Sequence, residues 1–331
     1  MQTPDFWKKS EGIMGLFLAP FGWLYGLIVR LRIFFAWPVK VKIPVICIGN
    51  LVTGGAGKTP VAINLAKRLI LKGQNIRFVT RGYGGRLVGP VRVDPKIHTV
   101  LEVGDEALML ARIASVWVAK IRADGVVAAS VDDEGGSPDI IIMDDGFQNP
   151  TVAKDLSFLV IDGTLGLGNG RIFPAGPLRE SISSAMSRAD GIVLIGSDNV
   201  GIEKILAKHG LKIPLFRAKP ILGPEAESLK EIPIVAFAGI AYPEKFFRAI
   251  QEFGLKVVST LSFPDHHLFT QNDIENLQKE AKSFKARLVT TEKDAIRLST
   301  EELETISVLT MSLGWVDESH IETALNPLFG N

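Results

Sequence analysis

The chain has 331 residues, enough to bury a large core, and we expect it to divide into two domains. Its 37 basic and 36 acidic side chains give a formal net charge of +1, which excludes bulk electrostatic attraction to nucleic acid. The single cysteine, Cys47, excludes an intrachain disulfide and a cysteine-based zinc cluster, and it fits a reducing compartment.

The N-terminal stretch differs in composition from the rest of the chain. From Ile13 to Val29 it holds no charged residue and four aromatic ones, whereas the flanks are basic: Lys8, Lys9, Arg30, Arg32, Lys40 and Lys42. A transmembrane helix needs roughly 20 apolar residues, and proline and glycine interrupt this run. An interfacial membrane helix, a single span and a helix that covers the core are the three alternatives. Aromatic residues between basic flanks favour association with a membrane surface.

The next segment has the order strand, glycine-rich loop and helix. The loop consists of Val52, Thr53, Gly54, Gly55, Ala56, Gly57, Lys58 and Thr59. Glycines let successive N–H groups point at phosphates, and the helix that follows directs its positive dipole end at the same anion. We expect Lys58 to reach the β- and γ-phosphates of ATP and the Thr59 hydroxyl to ligate Mg²⁺. The usual loop has glycine at the position of Val52, and here the paired glycines supply that flexibility.

Short β-branched runs alternate with helical patterns along the chain. The strands are expected at Val45–Ile48, Ile76–Thr80, Ile140–Met143, Leu156–Ile161, Ile192–Ile195, Ile234–Ala238, Lys256–Leu261 and Leu288–Thr291. This alternation predicts an α/β fold: a doubly wound, mostly parallel sheet of the P-loop NTPase type, with ligands at the carboxyl ends of the strands. We expect a membrane-associated segment at 1–42, a P-loop domain at 43–220 and a smaller α/β domain at 221–331. A proline-rich linker around Pro214, Pro220 and Pro224 is expected between the two domains.

Two carboxylates, Asp144 and Asp145, end the buried strand 140–143. An aspartate at a strand end is often only a turn residue. Beside a phosphate loop, however, a strand-end aspartate holds Mg²⁺ directly or through water. Asp144 and Asp145 are therefore predicted to bind the metal together with Thr59.

Asp105 and Glu106 precede a helical run, and His266 follows Asp265 on a loop of the second domain. The two acids are suited to capping the helix. A phosphotransferase also benefits from a carboxylate or imidazole that accepts the proton of the attacking hydroxyl. For His266 the alternatives are a surface histidine without a role, a metal ligand, or a pair with Asp105 across the domain cleft. Spacing in the sequence leaves all three open.

Basic and amide side chains are predicted at the same ligand edge. Arg81 follows the second strand, Arg179 lies in a loop after the fourth, and Gln148 and Asn149 come just after Asp145. Either arginine is suited to gripping an anionic substrate through two parallel hydrogen bonds. We assign Arg81, Glu106, Gln148, Asn149 and Arg179 to substrate binding.

Several motifs occur in an order that resembles one family, the tetraacyldisaccharide 4'-kinases, which phosphorylate the lipid A precursor of Gram-negative bacteria. These are residues 48–60, Arg81-Gly82-Tyr83-Gly84, Val103-Gly104-Asp105-Glu106, Asp144-Asp145-Gly146-Phe147-Gln148, Gly168-Asn169-Gly170, residues 174–180, Asp265-His266 and residues 291–295. Each motif alone is weak, and the ordered set is specific. Many members of the family carry histidine where this chain has Asn149.

The resemblance implies transfer of the γ-phosphate of ATP to the 4'-hydroxyl of a tetraacyldisaccharide 1-phosphate. It places the family's catalytic pair on Asp105 and His266 and its magnesium-binding aspartates on Asp144 and Asp145. It also implies a membrane-associated N-terminal helix, and therefore work at the cytoplasmic face of the inner membrane. The expected partners are the lipid-linked disaccharide and the membrane surface, without nucleic acid or an obligate protein partner.

A membrane-associated switch or partitioning ATPase is the alternative function. Paired glycines before Gly-Lys-Thr are common in those proteins, but they usually carry lysine where this chain has Thr53. A switch that acts on a protein partner also has no use for an acceptor-side base in a second domain. We therefore favour the kinase.

Overall fold

The computed structural model describes residues 4–7, 12–131, 135–210 and 213–329. Lys8 and Lys9, expected at one flank of the apolar N-terminal run, lie outside the described residues. The helices are α1 (Ile13–Phe17), α2 (Ala19–Phe34), α3 (Lys58–Leu71), α4 (Val100–Val103), α5 (Asp105–Ala111), α6 (Arg122–Ala129), α7 (Ile182–Met186), α8 (Ile202–Lys208), α9 (Pro243–Glu252), α10 (Gln271–Ser283), α11 (Glu292–Ala295), α12 (Thr300–Thr305) and α13 (Glu318–Leu325). The strands are β1 (Val45–Asn50), β2 (Ile76–Thr80), β3 (Val91–Arg92), β4 (Ser115–Val118), β5 (Ile140–Asp144), β6 (Leu156–Asp162), β7 (Gly191–Ile195), β8 (Leu215–Leu222), β9 (Pro233–Ala238), β10 (Lys256–Ser262), β11 (Arg287–Thr291), β12 (Ile306–Leu309) and β13 (Met311–Trp315).

A large sheet runs in the order β13-β8-β7-β6-β1-β5-β2-β4-β3. The strands from β8 to β4 are parallel, and β13 and β3 add antiparallel edges. Helices α3, α5 and α13 pack on one face, and α6, α7 and α8 pack on the other. The central strand β1 is buried along its whole length as a result. The predicted doubly wound fold is confirmed.

A second, parallel sheet of β10-β9-β11-β12 forms the smaller α/β unit. One face is covered by α9, which buries Phe246 and Ile250, and the other by α10, which buries Ile274 and Leu277. Helix α10 begins at a capping box, since Thr270 accepts from the backbone of Asp273 and the Asp273 carboxylate accepts in return. The carboxyl ends of both sheets face the same cleft, where the ligand-binding loops meet.

The proline-rich passage is a strand rather than the expected linker. Only residues 215–218 of β8 pair with β7, and Pro220 lies past that point, opposite Leu313 of β13. A proline has no N–H to donate, and it is tolerated where the ladder on one side has ended. The linker prediction was wrong because the prolines mark the end of one ladder and not the end of the domain.

The end of the chain returns to the large sheet. β13 pairs with β8, and Trp315 donates its indole N–H to Asn64 of α3 at 2.6 Å. The Asn64 amide in turn donates to the carbonyl of Leu313 at 2.6 Å. The second sheet and its helices lie within residues 224–309, so the expected small domain of 221–331 does not include the last strand and helix. A five-residue strand that contains Gly314 carries too little pattern to be predicted from sequence.

The apolar N-terminal run forms α1 and α2, which lie against a loop of the large domain. Gly22 and Gly26 permit close packing, because a Cβ at either position would lie 2.8 Å from an atom of Ile172. The opposite side of the two helices is exposed, with Trp23 at 80% and Phe17 at 73% of their full accessibility. Among the helices of the described ranges, none has the length and apolarity needed to cross a membrane.

Candidate active site

The glycine-rich loop connects β1 to α3 as predicted. Gly54 and Gly57 take φ values of 116° and 86°, a conformation that strains other L residues. Helix α3 begins at Lys58, so the loop ends on a helix N-terminus whose first N–H groups have no partner within the helix. Val52 forms an isolated antiparallel β-bridge with Leu178, and the Thr53 N–H donates to the Pro177 carbonyl at 2.9 Å. The first two loop residues are thus held by the neighbouring loop, and those after them curve around the phosphate position.

Thr59 and Asp144 meet at the base of this loop. The Thr59 hydroxyl donates to Asp144 Oδ2 at 2.8 Å. Asp144 is 1% exposed, and its other oxygen, Oδ1, has no hydrogen-bond partner in the described part of the chain. Burial, together with the nearby Glu106 carboxylate, raises the pKa of Asp144 to about 7.

The donor set at this position fits Mg²⁺. A hydroxyl and a buried, unpartnered carboxylate oxygen are the hard oxygen ligands that this cation takes. Within the described residues, no group of three or more His, Cys, Asp or Glu side chains is arranged to hold a metal unaided.

Asp145 lies beside Asp144 in a different environment. Its Oδ1 is 3.0 Å from Arg179 Nη1 and 3.7 Å from Lys58 Nζ. Burial opposes its ionisation, but Lys58 and Arg179 overcome that effect and hold the pKa of Asp145 below its usual value. The backbone φ of 53° is left-handed, and a non-glycine residue there costs about 1–3 kcal/mol. The strained backbone of Asp145 therefore accompanies the contact between its carboxylate and Lys58.

Asp105 and His266 meet across the cleft between the two sheets. His266 Nδ1 lies 2.8 Å from Asp105 Oδ2, although the residues are 161 positions apart in the chain. Since a carboxylate accepts, Nδ1 is the donor in this contact, and the other ring nitrogen, Nε2, lies 3.6 Å from Asp265 Oδ2. Burial disfavours the Asp105 charge, but His266, Lys293 and Arg297 together hold the pKa of Asp105 below its usual value. The ring of Tyr83 lies 5.4 Å from the His266 ring.

Four of the five predicted substrate residues lie at three places around the site. Arg179 and Gln148 lie together next to Asp145, with Arg179 Nη1 donating to Gln148 Oε1 at 3.3 Å. Glu106 is in the first turn of α5, between Lys58 and Lys293, and burial raises its pKa. Arg81 is exposed at the end of β2.

Asn149 has a local role in this structure. Its Oδ1 accepts from the backbone N–H of Thr151 at 2.9 Å and from the Thr151 hydroxyl at 2.8 Å. This is an Asx turn, in which the side chain stabilises the loop that follows β5. The Asn149 side-chain oxygen is thus occupied by Thr151, and the assignment of this residue to substrate binding stays a prediction.

Sequence reasoning missed several residues that face the site from the second domain. Lys293 Nζ and Arg297 Nη2 lie 3.8 Å and 3.7 Å from Asp105 Oδ2. A Cβ at Gly54 would lie 3.2 Å from the Tyr242 hydroxyl, so Tyr242 covers the phosphate loop. Lys245 of α9 pairs with Asp162 at the end of β6. Lys293 belongs to a motif noted in the sequence, whereas the other three had no recognisable signal.

Comparison with known proteins decides the family. Residues 14–329 match the sequence profile of the family described as tetraacyldisaccharide-1-P 4'-kinase. The chain belongs to this family of ATP-dependent kinases. The tetraacyldisaccharide 4'-kinase of Paramagnetospirillum magneticum is 49% identical over 329 residues, covering 99% of this chain and 98% of that protein. The enzyme of Parvibaculum lavamentivorans is 45% identical over 338 residues, covering 100% and 95%.

A solved structure supports the same assignment. The crystal structure of LpxK from Aquifex aeolicus in complex with ATP is 28% identical and superposes with a TM-score of 0.76 over 96% of this kinase and 100% of that chain. The predictions of the family, of the P-loop fold and of ATP as the phosphate donor are confirmed. The switch or partitioning ATPase is not favoured.

The two neighbouring aspartates should respond to pH with opposite signs. The folded pKa of Asp144 is raised from 3.8 to about 7, so stability falls as pH rises between those values. Asp144→Asn removes the carboxyl group that causes this loss of stability. In the absence of Mg²⁺, the melting temperature of the variant should exceed that of the parent by on the order of 5 °C at pH 8 and by less at pH 5. The matched change Asp145→Asn removes a carboxylate whose pKa is lowered, so it should melt lower at pH 8. Thermal unfolding in chelator measures both, and equal shifts at the two pH values would contradict this account.

Proposed function

We propose that this kinase transfers the γ-phosphate of ATP to the 4'-hydroxyl of a tetraacyldisaccharide 1-phosphate, with Asp105 and His266 as the acceptor-side pair. The observation that carries the assignment is the 2.8 Å contact between His266 Nδ1 and Asp105 Oδ2, in the cleft that also holds the phosphate loop. A sugar hydroxyl is a poor nucleophile until its proton is accepted. An imidazole oriented by a carboxylate accepts that proton near neutral pH.

The donor side is assigned to the loop and the strand end. Lys58 and the N–H groups of the loop bind the β- and γ-phosphates, and Thr59 with Asp144 holds Mg²⁺. The cation, when bound, neutralises charge on the phosphate oxygens. Asp145 holds Lys58 in place through their 3.7 Å contact. The arrangement thus provides positioning and charge neutralisation, on which phosphoryl transfer mainly depends.

Transfer is a single displacement. The 4'-oxygen forms a bond to the γ-phosphorus as the bond from that phosphorus to the β,γ-bridging oxygen breaks, and ADP carries away the electron pair. The hydroxyl proton passes to His266 Nε2, while the proton on Nδ1 stays on the ring and keeps its hydrogen bond to the Asp105 carboxylate. His266 then releases the proton to solvent, to which its side chain is 26% accessible.

The remaining predicted residues are assigned to the acceptor. Arg179 and Gln148 form one polar surface beside Asp145, 3.3 Å apart, and are suited to the sugar or its phosphate. Arg81 is exposed at the same sheet edge, and its guanidinium is suited to an anion. We assign Glu106, whose charge interacts with those of Lys293 and Lys58, to the acceptor as well. We assign Asn149 a supporting role through its turn, rather than a contact with substrate.

We also propose that the exposed side of α1 and α2 lies in the membrane surface, at the cytoplasmic face of the inner membrane. Apolar side chains on this side are exposed along both helices: Ile13, Met14, Leu16, Phe17, Phe21, Trp23, Leu24, Leu27, Ile28, Leu31 and Phe34. A contiguous apolar surface of this kind is typical of a membrane or partner contact. An acceptor with four acyl chains is itself a membrane lipid, so the enzyme has to work at that surface.

The decisive test is transfer of labelled γ-phosphate from ATP to a detergent-dispersed disaccharide lipid. Lys58→Ala should lower turnover by roughly 10²-fold or more and weaken ATP binding, because it removes the cation that faces the transferring charge. Lys67→Ala, an exposed lysine on the same helix, is the control. Near-normal activity of Lys58→Ala would exclude the P-loop assignment, and ATP turnover without the lipid acceptor would revive the switch alternative.

Asp105 and His266 should behave as one unit. Asp105→Ala and His266→Ala should each lower kcat by roughly 10²- to 10⁴-fold, and the double variant should cost little more than the worse single one. ATP affinity should stay near the parental value in all three variants, because neither side chain is assigned to the phosphates. Steady-state kinetics and nucleotide titration measure both. Costs that multiply would show that the two residues act separately.

Charges placed on α2 should weaken membrane binding. Trp23→Glu and Leu24→Glu together should lower partitioning into phosphatidylethanolamine and phosphatidylglycerol vesicles on the order of tenfold or more, because each buried apolar side chain contributes about 1.5–3 kcal/mol. Leu71→Glu is a matched control, since Leu71 is 89% exposed at the end of α3. Vesicle flotation reports the bound fraction. Equal loss in all variants, or a parent chain that never floats, would contradict the proposal.

A further inference from the structure

Arg297 is a fully buried cation beside the proposed catalytic pair. It follows α11 in the second domain, and its side chain has 0% accessibility. Burying a guanidinium costs several kcal/mol unless its N–H groups find acceptors. Its acceptors are the carbonyls of Gly239 at 3.2 Å and His267 at 2.9 Å, the Asp294 carboxylate at 3.0 Å and the Lys293 carbonyl at 3.4 Å.

Two of these acceptors fix the loop that carries His266. The Gly239 carbonyl that accepts from Arg297 also accepts from the backbone N–H of His266 at 3.1 Å. The His267 carbonyl is the next one along the chain. His266 has a left-handed φ of 60°, which persists only when its surroundings hold it in place. The guanidinium therefore holds the strained residue from both sides.

The same guanidinium reaches Asp105 in the other domain. Arg297 Nη2 lies 3.7 Å from Asp105 Oδ2, the oxygen that accepts from His266 Nδ1. Lys293 Nζ is at a similar 3.8 Å, but its side chain is 20% accessible and it is also 3.3 Å from Asp265. A buried charge is screened less by solvent than an accessible one. Both cations lower the pKa of Asp105, Lys293 more strongly than Arg297, but of the two only Arg297 is fully buried and also bonded to the loop that carries His266.

We infer that Arg297 is a positioning residue of the kinase, which joins Asp105 of the large domain to the His266 loop of the small one through a single buried guanidinium. The inference rests on the proposed function of Asp105 and His266. Arg297 acts in two separable ways. Its planar fork fixes where the imidazole lies, and its charge helps to keep Asp105 ionised. The lowered pKa of Asp105 agrees with the second effect.

The alternative is that Arg297 only stabilises the small domain through Asp294. The two accounts differ in what happens when Asp105 has already lost its charge. If Arg297 acts through Asp105 and His266, its removal matters little in an Asp105→Asn background. If it acts on folding alone, its removal costs the same in both backgrounds.

The experiment is a double-mutant cycle with Arg297→Met, Arg297→Lys and Asp105→Asn on the full chain, assayed by γ-phosphate transfer with thermal unfolding in parallel. Arg297→Met should lower kcat roughly 10²-fold with KM for ATP unchanged, because a displacement of about 1 Å at a catalytic group has that effect. In the Asp105→Asn background the further loss should be less than about 3-fold. Arg287→Met, an exposed arginine of β11, is the control and should leave activity unchanged.

The pH dependence separates charge from geometry. The charged or polar groups that face His266 are Asp105, Asp265, Lys293, Arg297 and Tyr83. Loss of the Arg297 cation removes a repulsion to imidazolium, so the acid limb of the kcat/KM profile should move to higher pH in Arg297→Met. Arg297→Lys keeps a cation but not the fork, so its acid limb should stay near the parental position while kcat remains lowered.

The outcomes are distinct. An equal loss for Arg297→Met with and without Asp105→Asn, or a lower melting temperature with an unchanged acid limb, would overturn the inference. If Arg297→Met does not fold, Arg297→Lys completes the same cycle. If Asp105→Asn alone leaves transfer intact, the proposed acceptor-side pair fails, whatever Arg297 does.

Discussion

A buried carboxylate that must stay charged is the constraint around which the two sheets are arranged. Asp105 is 1% exposed, and its imidazole and cationic partners, His266, Lys293 and Arg297, all belong to the second domain. A carboxylate withdrawn from water is unfavourable unless such partners are near. The large domain thus presents an incomplete site, and packing of the small domain completes it. The pair that we propose as catalytic therefore forms only where the two domains meet.

The phosphate side of the site follows from the sequence more directly than the acceptor side. The loop, the lysine and the strand-end aspartates lie within short segments whose order along the chain dictates strand, turn and helix. Their mutual placement then follows from parallel sheet topology, because β1 and β5 are neighbours. Asp105 and His266 are 161 positions apart. Their spacing left a pair as one of three alternatives, and only the family resemblance favoured it before the structure showed the contact.

Residues without a local pattern escaped sequence analysis for identifiable reasons. Arg297 looks like an ordinary helix-end arginine, and its burial depends on three carbonyls and one carboxylate that come from three separate segments. For Asn149, which the sequence analysis did name, the turn with Thr151 was not anticipated, because a short polar side chain bonds to nearby backbone in many loops. β8 was missed because proline argues against a central strand, and only the pairing partner shows that Pro220 lies past the shared ladder.

The return of β13 to the large sheet makes the small domain an insertion. The chain leaves the sheet along β8 and re-enters along β13, and Leu222 pairs directly with Met311. Leu222 and Met311, where the chain leaves and re-enters the large sheet, are thus opposite each other in one antiparallel ladder. Directly opposed Cα atoms in such a ladder are about 4.5–5.5 Å apart. The inserted domain is therefore joined to the sheet at a single site, and a tight turn from β8 to β13 has the geometry to replace all 88 residues between Leu222 and Met311 without breaking the sheet.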